Sequence, residues 1–345
     1  MFNSAYLIDL AKTSDLIIRK LLAVKPQEEV LLIADTETDP AMVYALASAA
    51  RSLGCEYSIS VMPSRRGQPE LSNQLPKAIE KAFEGADVVI GLTRTSFAPS
   101  MAPIQTKLVF KEKRIRYYSM AFRTFESLMR GGALANYEEI RKTAHKLKAT
   151  LEQGNRLTIK TSKGTDFVAD VPKPENMPGF PGPFVRIETG WAEHPGEEAA
   201  FPDGEVFFAP SEHSANGRLM VDGPIEYIGF ASSPIEVIVK EGRIISVNGS
   251  CVEAQKLRDI LSSIEDADVI GEVALGINPN SQNDGTTQEE KKALGNCHVG
   301  FGIARAFEGS WMAKHKTLIH SDIVIRDVVV EVDGKLIVQG SKLIL

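Results

Sequence analysis

Cysteine is scarce in this 345-residue sequence: Cys55, Cys251 and Cys297 are widely spaced and form no C-x-x-C pair. Such an odd, scattered set offers no disulfide framework, and a reducing, cytoplasmic setting is expected. There is no run of about eighteen apolar residues, so no membrane-spanning helix is expected. The opening MFNSAYLIDLAKTSDLIIRKLL lacks a basic start followed by a continuous apolar stretch. It reads as an amphipathic helix with Leu7, Leu10, Ile17 and Leu21 on one side, and not as a signal peptide. Positive charge is not in surplus either. A net charge of −6 and a pI near 5.7 argue against nucleic acid as a partner. Nor is there a G-x-G-x-x-G or G-K-[ST] loop after the first apolar strand. The turn there is A-D-T-E-T-D-P, whose acids would repel a pyrophosphate.

What is present is ordinary soluble-protein composition, 43% apolar and 24% charged, over a length sufficient for two cores. Short apolar runs alternate with helical patterns through about residue 150: EEVLLIAD, a helix opened by Asp39 and Pro40, CEYSISVM, LPKAIEKAFEGA, DVVIGLT, a helix through 102–110, RIRYYSM and helices near 123–130 and 137–153. That alternation predicts an α/β domain with a doubly wound parallel sheet over residues 1–153. From Gly154 the composition changes. RLTIKTSKGTDFVADV reads as a hairpin, and PKPENMPGFPGPF must be irregular. A helix at 251–263 and strands at 323–332 and 336–338, the last two joined by D-G, complete a strand-rich α+β domain over 154–345.

The chemistry concentrates between Glu272 and Asp322. GEVALGINP, GNCHVGFG and LIHSDIVI are apolar and strand-like, yet carry Glu272, His298, His320 and Asp322. A carboxylate or imidazole inside a strand loses solvation unless it is paired or metal-bound, and all four are metal-ligand types. With a side-chain period of two, His320 and Asp322 leave one face together. Gly300 and Gly302 leave space beside His298 on its own face. Glu205, in FPDGEVFFAP, repeats the pattern of a turn followed by a carboxylate opening an apolar strand. Taken singly, Glu272 and Glu205 are compatible with solvated strand ends, and His320 and Asp322 with a hydrogen-bonded pair. Cys297 points the opposite way and suits a core. Arg305, seven positions after His298, could hold a substrate carboxylate or pair with an acid. His145, His194, His213 and His315 lie in basic or polar surroundings that need no function.

The ordered set FPDGEVFFAP, SANG, GEVALGINP, CHVGFG and HSD resembles the thermophilic aminopeptidase family, aminopeptidases T and S, over about residues 201–325. The resemblance implies a metal set of Glu205, Glu272, His298, His320 and Asp322 holding two divalent ions (Zn, Co or Mn), with Glu272 bridging them or nearest the attacking water. It implies hydrolysis of an amide in a small amine-bearing or short peptide substrate, and a homodimer. Two such ions about 3.5–4 Å apart lower the pKa of a bridging water and polarise a carbonyl. The chain departs from that family in lacking a tyrosine after the motif histidine, where VGFGIARAFEGSW has none. The I-A-R-A-F-x-G stretch and H-x-D pair are also similar to the 2,5-dihydroxypyridine dioxygenases, which resemblance implies a single Fe(II) and ring cleavage of a hydroxylated pyridine. In those enzymes a histidine stands at the position of Glu272 and no acid matches Glu205. His298, His320 and Asp322 could then supply two imidazoles and one carboxylate. The extra glutamates make a hydrolase the leading expectation and the dioxygenase the alternative.

Overall fold

The computed structural model describes residues 5–65, 74–94, 114–121, 124–177, 180–302, 307, 310–317 and 319–345. The chain forms two compact units, Met1–Leu134 with Thr189–Asp203, and Ala135–Glu188 with Gly204–Leu345.

The first unit is built on a parallel sheet. Strand β1 (Glu29–Asp35) is buried along both faces beyond its first residue, as an inner parallel strand must be. It lies between β2 (Glu56–Met62) and β3 (Val88–Gly91). The order continues through β4 (Arg116–Ser119) to β8 (Glu198–Ala200). The connecting helix Pro40–Ser52 begins where expected: the Asp39 side chain accepts the Ala41 N–H at 2.8 Å, and Pro40 takes the first helical position. Leu31, Ile33, Phe83, Val89 and Tyr117 form the core against that sheet. The stretch predicted as a helix at 102–110 lies outside the described residues.

Two antiparallel sheets make up the second unit. Eight strands stand in the order β14 (Arg243–Asn248), β13 (Ile235–Lys240), β10 (Asn216–Val221), β6 (Asp166–Asp170), β5 (Arg156–Lys160), β18 (Val329–Val332), β19 (Lys335–Gln339) and β20 (Lys342–Leu343). Seven more run β12 (Gly229–Phe230), β11 (Pro224–Ile225), β17 (His320–Ile325), β16 (Cys297–Gly302), β15 (Ile270–Gly276), β9 (Glu205–Phe208) and β7 (Arg186–Glu188). The fold class is therefore the expected one: a parallel α/β region with strand-rich antiparallel sheets.

Several details differ from the sequence expectations. The helix Tyr137–Gln153, capped by Asn136, belongs to the second unit, while β8 returns to the first unit's sheet. Three residues of strand carry too little pattern to reveal which sheet they join. The single strand expected over 323–332 is two strands in different sheets, because Asp327 takes φ +51° and turns the chain between them. The D-G turn after Val332 forms as expected, with φ +50° at Asp333 and +80° at Gly334. No helix among the described residues is long and apolar enough to cross a membrane.

Candidate metal centre

Cross-strand register gathers the site. Glu272 stands opposite Gly300, and Gly300 opposite Asp322; Gly302 faces His320; Gly276 faces Glu205, which faces Glu188. Residues directly opposed in an antiparallel sheet project from the same side, and every second residue shares that side. Glu188, Glu205, Glu272, His298, His320 and Asp322 therefore all leave one face of the seven-stranded sheet. Small residues floor it. A methyl group at Gly300 would lie 3.0 Å from Glu272 Cβ and His320 Cε1, and 3.1 Å from Asp322 Oδ1.

Most of the charges on this face are buried. His298 and Asp322 have no exposed surface, Glu205 is 3% exposed and Glu272 6%. Neither glutamate is the solvated strand end that an isolated acid would suggest. His298 Nε2 lies 3.1 Å from Glu272 Oε1, 3.7 Å from Glu205 Oε2 and 4.0 Å from Asp322 Oδ2, while His320 Nε2 lies 3.2 Å from Asp322 Oδ1. Among the donor triplets are Glu205–Glu272–His298 and Glu272–His320–Asp322, each with ligand atoms within 4.8 Å of one another. Glu272 belongs to both. His298 and His320 do not share a triplet, so the grouping differs from the expected two imidazoles and one carboxylate.

Four charged residues that the sequence reading did not single out complete the face. Lys291 Nζ lies 2.8 Å from Asp322 Oδ2; Lys292 Nζ lies 2.7 Å from Glu205 Oε1 and 3.2 Å from Glu188 Oε2. Glu226 follows β11, where its backbone N–H donates to the Asp322 carbonyl at 2.9 Å, and Gln288 Nε2 donates to its carboxyl at 2.7 Å. Their segment is pressed onto the sheet at Gly276, where a Cβ would meet the Ala293 carbonyl oxygen at 2.3 Å and that of Lys291 at 2.8 Å. A run reading Q-E-E-K-K looks like a solvated helix face; only the glycine opposite it hints at close backbone approach.

Protonation follows from this crowding. Burial disfavours the charged His298 ring, but Asp322, Glu205 and Glu272 together raise its pKa above the ordinary imidazole value. At His320 burial is again outweighed, chiefly by Asp322, and the pKa is pushed up to about 10. Asp322 resists the upward push of burial because Lys291, His298 and His320 hold it well below the usual carboxylate range. Glu226 is raised, by burial first and by Asp322 in addition, against the pull of Lys291. Glu205 Oε2, Asp322 Oδ1 and His298 Nδ1 are buried with no hydrogen-bond partner among the described residues. A buried carboxylate oxygen without a donor, in a set of acids and imidazoles, fits a divalent first-row cation.

An apolar cluster adjoins the face. Phe207 stands opposite Ala274 and Ala274 opposite His298, so all three lie in one row. Phe207 and Ala274 pack with Met177, Phe180, Phe307 and Met312, and Phe184 and Trp311 lean on the group. The Phe207 and Phe307 rings meet edge to face at 5.9 Å.

The sequence profile of the 2,5-dihydroxypyridine 5,6-dioxygenase family (NicX) matches residues 17–345. The chain belongs to that family. Its relative in Pseudomonas putida, named 2,5-dihydroxypyridine 5,6-dioxygenase, is 24% identical over 351 residues, covering 94% of this chain and 93% of its own. The solved dioxygenase structure from that organism superposes with a TM-score of 0.78 at 23% identity over 98% of this chain and 97% of its own. AmpT of Thermus thermophilus gives 0.72 at 18% identity, over 98% and 99%. The leading sequence resemblance, to aminopeptidases, is thus one of fold, and the dioxygenase family is where the chain is placed.

Within this family member the five sequence-predicted residues, Glu205, Glu272, His298, His320 and Asp322, come together on one face. Arg305 lies outside the described residues. Cys297 is buried, as expected of core, and burial pushes its thiol far up. His145, His194 and His213 are exposed.

Proposed function

We propose that this protein is a metal-dependent, ring-cleaving dioxygenase acting on a hydroxylated pyridine or a closely similar N-heteroaromatic ring. The observation that carries the reading is the aromatic cluster reaching the His298 row through Phe207 and Ala274, in a chain whose family is defined by that reaction. Glu272, His320 and Asp322 would hold the ion, one imidazole and two carboxylates, with Glu272 where the resemblance implies a histidine. When bound, a ferrous ion supplies the one-electron chemistry that lets dioxygen react with an aromatic ring.

The chain's own groups account for the rest. Phe180, Phe207 and Phe307 exclude water and offer flat apolar surface to a planar ring. Glu226, raised towards its neutral form, can hold a proton at its carboxyl oxygen and exchange it with a substrate hydroxyl. Lys291 is held charged by Asp322 and Glu226 and can stabilise an ionised hydroxyl or carboxylate developing nearby.

A second reading, an aminopeptidase-like hydrolase with two divalent ions, is favoured by one observation, the shared Glu272 between two triplets. Protein loaded anaerobically with Fe(II) separates the two. Loss of 2,5-dihydroxypyridine absorbance on admitting oxygen is expected. Release of p-nitroaniline from aminoacyl anilides by zinc- or cobalt-loaded protein, with the hydroxypyridine untouched, would overturn the dioxygenase in favour of the hydrolase. A homodimer remains part of the proposal, measurable by light scattering.

A further inference from the structure

We propose that Tyr227 is a substrate-contacting residue, a phenol held at the rim of the metal face to bond a polar substituent of the bound ring. This role rests on the ring-cleavage reading above and adds a residue that decides which rings are held. Tyr227 is the third residue of the turn Ile225–Ile228, which the Ile228 N–H closes by donating to the Ile225 carbonyl at 3.1 Å. Its φ is +64°. That place in a turn, with that φ, ordinarily falls to glycine or asparagine, because a larger side chain is strained there. Asp327 and Asp333 take the same conformation in other turns, but they are of the short polar type that tolerates it. A tyrosine is not.

The turn cannot relax by pivoting away from the site. At Glu226 the N–H donates to the Asp322 carbonyl at 2.9 Å, the carbonyl accepts Ser321 Oγ at 3.0 Å, and the carboxyl accepts Gln288 Nε2 at 2.7 Å. Tyr227 is thus fixed next to a residue tied to the metal face at three points. It is 45% exposed, yet the charges that act on its hydroxyl are those of Glu226, Asp322 and Lys291. The side chain therefore borders both solvent and the site. In the sheet, β17, β16 and β15 lie between β11 and β9, so Tyr227 and Phe207 flank the row of acids and imidazoles from opposite sides. Strain of this kind persists only where the surroundings hold it, and it collects at binding sites. A phenol is neutral at neutral pH and both donates and accepts, so it can bond a ring hydroxyl or the oxyanion derived from it.

The test separates binding from stability. Calorimetry of the Zn(II)-loaded full chain reads affinity for 2,5-dihydroxypyridine, and thermal melts of the metal-free chain read stability. Tyr227→Phe keeps the ring and removes the hydroxyl; it should bind the hydroxypyridine about tenfold more weakly with Zn(II) affinity unchanged. Tyr227→Asn relieves the backbone. It should weaken binding at least as much, while melting at the same temperature or a few degrees higher. A purely structural turn residue would give the reverse, unchanged binding and a lower melting temperature. Equal binding by the natural protein and Tyr227→Phe overturns the inference and leaves the proposed function standing. So does a Tyr227→Asn chain that melts several degrees lower or does not fold. A natural protein that binds no hydroxypyridine removes that function, and this inference with it.

Discussion

The two sheets on either side of the unit division bury charge in opposite ways. In the parallel sheet the buried acid is Asp35, at the end of β1. Its oxygens accept the backbone N–H groups of Glu37 at 2.9 Å and Arg94 at 2.5 Å, and its neighbour Thr38 bonds it as well. Arg116, at the start of β4, is likewise used up on the carbonyls of Leu22 and Ala23 and on Glu28. In the seven-stranded sheet the acids face imidazoles, lysines and one another, and Glu205 keeps an oxygen with no donor among the described residues. A buried carboxylate satisfied by backbone amides holds a turn. Carboxylates crowded together on a sheet floored by glycine suit a cation.

The largest effect should come from removing the acid that ties the second sheet's charges together. Asp322→Ala leaves Lys291, His298 and His320 without their common partner. It should lower divalent-ion affinity by at least ~100-fold and cost about 3–5 kcal/mol of stability in the metal-free protein. Titration calorimetry and denaturant melts read these two numbers. If Asp322→Ala bound metal normally, the site would have to be elsewhere. Gly300→Ala comes next. Its methyl would crowd Glu272, His320 and Asp322 at 3.0–3.1 Å, and a loss of affinity together with about 1–3 kcal/mol of stability is expected. Phe207→Leu keeps the apolar volume but removes the ring, and should raise KM for the aromatic substrate roughly tenfold with metal affinity unchanged.

The pH response distinguishes the sheets in another way. His320 has a folded pKa of about 10 against an ordinary 6.5. Its contribution to stability is therefore full below about pH 6.5 and is lost as pH rises through about 10. Metal-free protein should melt at progressively lower temperature across that range. Divalent-ion affinity should rise over the same range, since a ligating imidazole must shed its proton. Affinity that falls with pH in this window would contradict the assignment. The smallest effect is the control in the parallel sheet: Asp35→Asn, which can still accept one amide bond, should cost about 1–2 kcal/mol and leave metal affinity untouched.

Much of the face was legible because a strand's period of two is rigid. His320 and Asp322 had to emerge together, and Glu272 and His298 stood out as polar intrusions in apolar runs. Register was not legible, since only the folded sheet brings Glu205 opposite Gly276 and Glu272 opposite Gly300. Lys291 and Lys292 escaped notice because a Q-E-E-K-K run has the composition of a solvated helix, and its burial depends on backbone contact with a distant glycine. The parallel sheet was readable from its alternation of apolar runs and helices, apart from β8, whose pairing with β4 arises after the chain has already entered the second unit. Fold-level similarity carried two chemistries at once, so the motif match alone put the aminopeptidases ahead of the family whose profile the chain matches.

Oxygen-isotope labelling tests the central claim most directly. Fe(II)-loaded protein would turn over 2,5-dihydroxypyridine under ¹⁸O₂, with the product examined by mass spectrometry. Both atoms of one dioxygen molecule should appear in the ring-opened product. A ring left intact, or an aminoacyl amide cleaved with ¹⁸O drawn only from labelled water, would contradict the account.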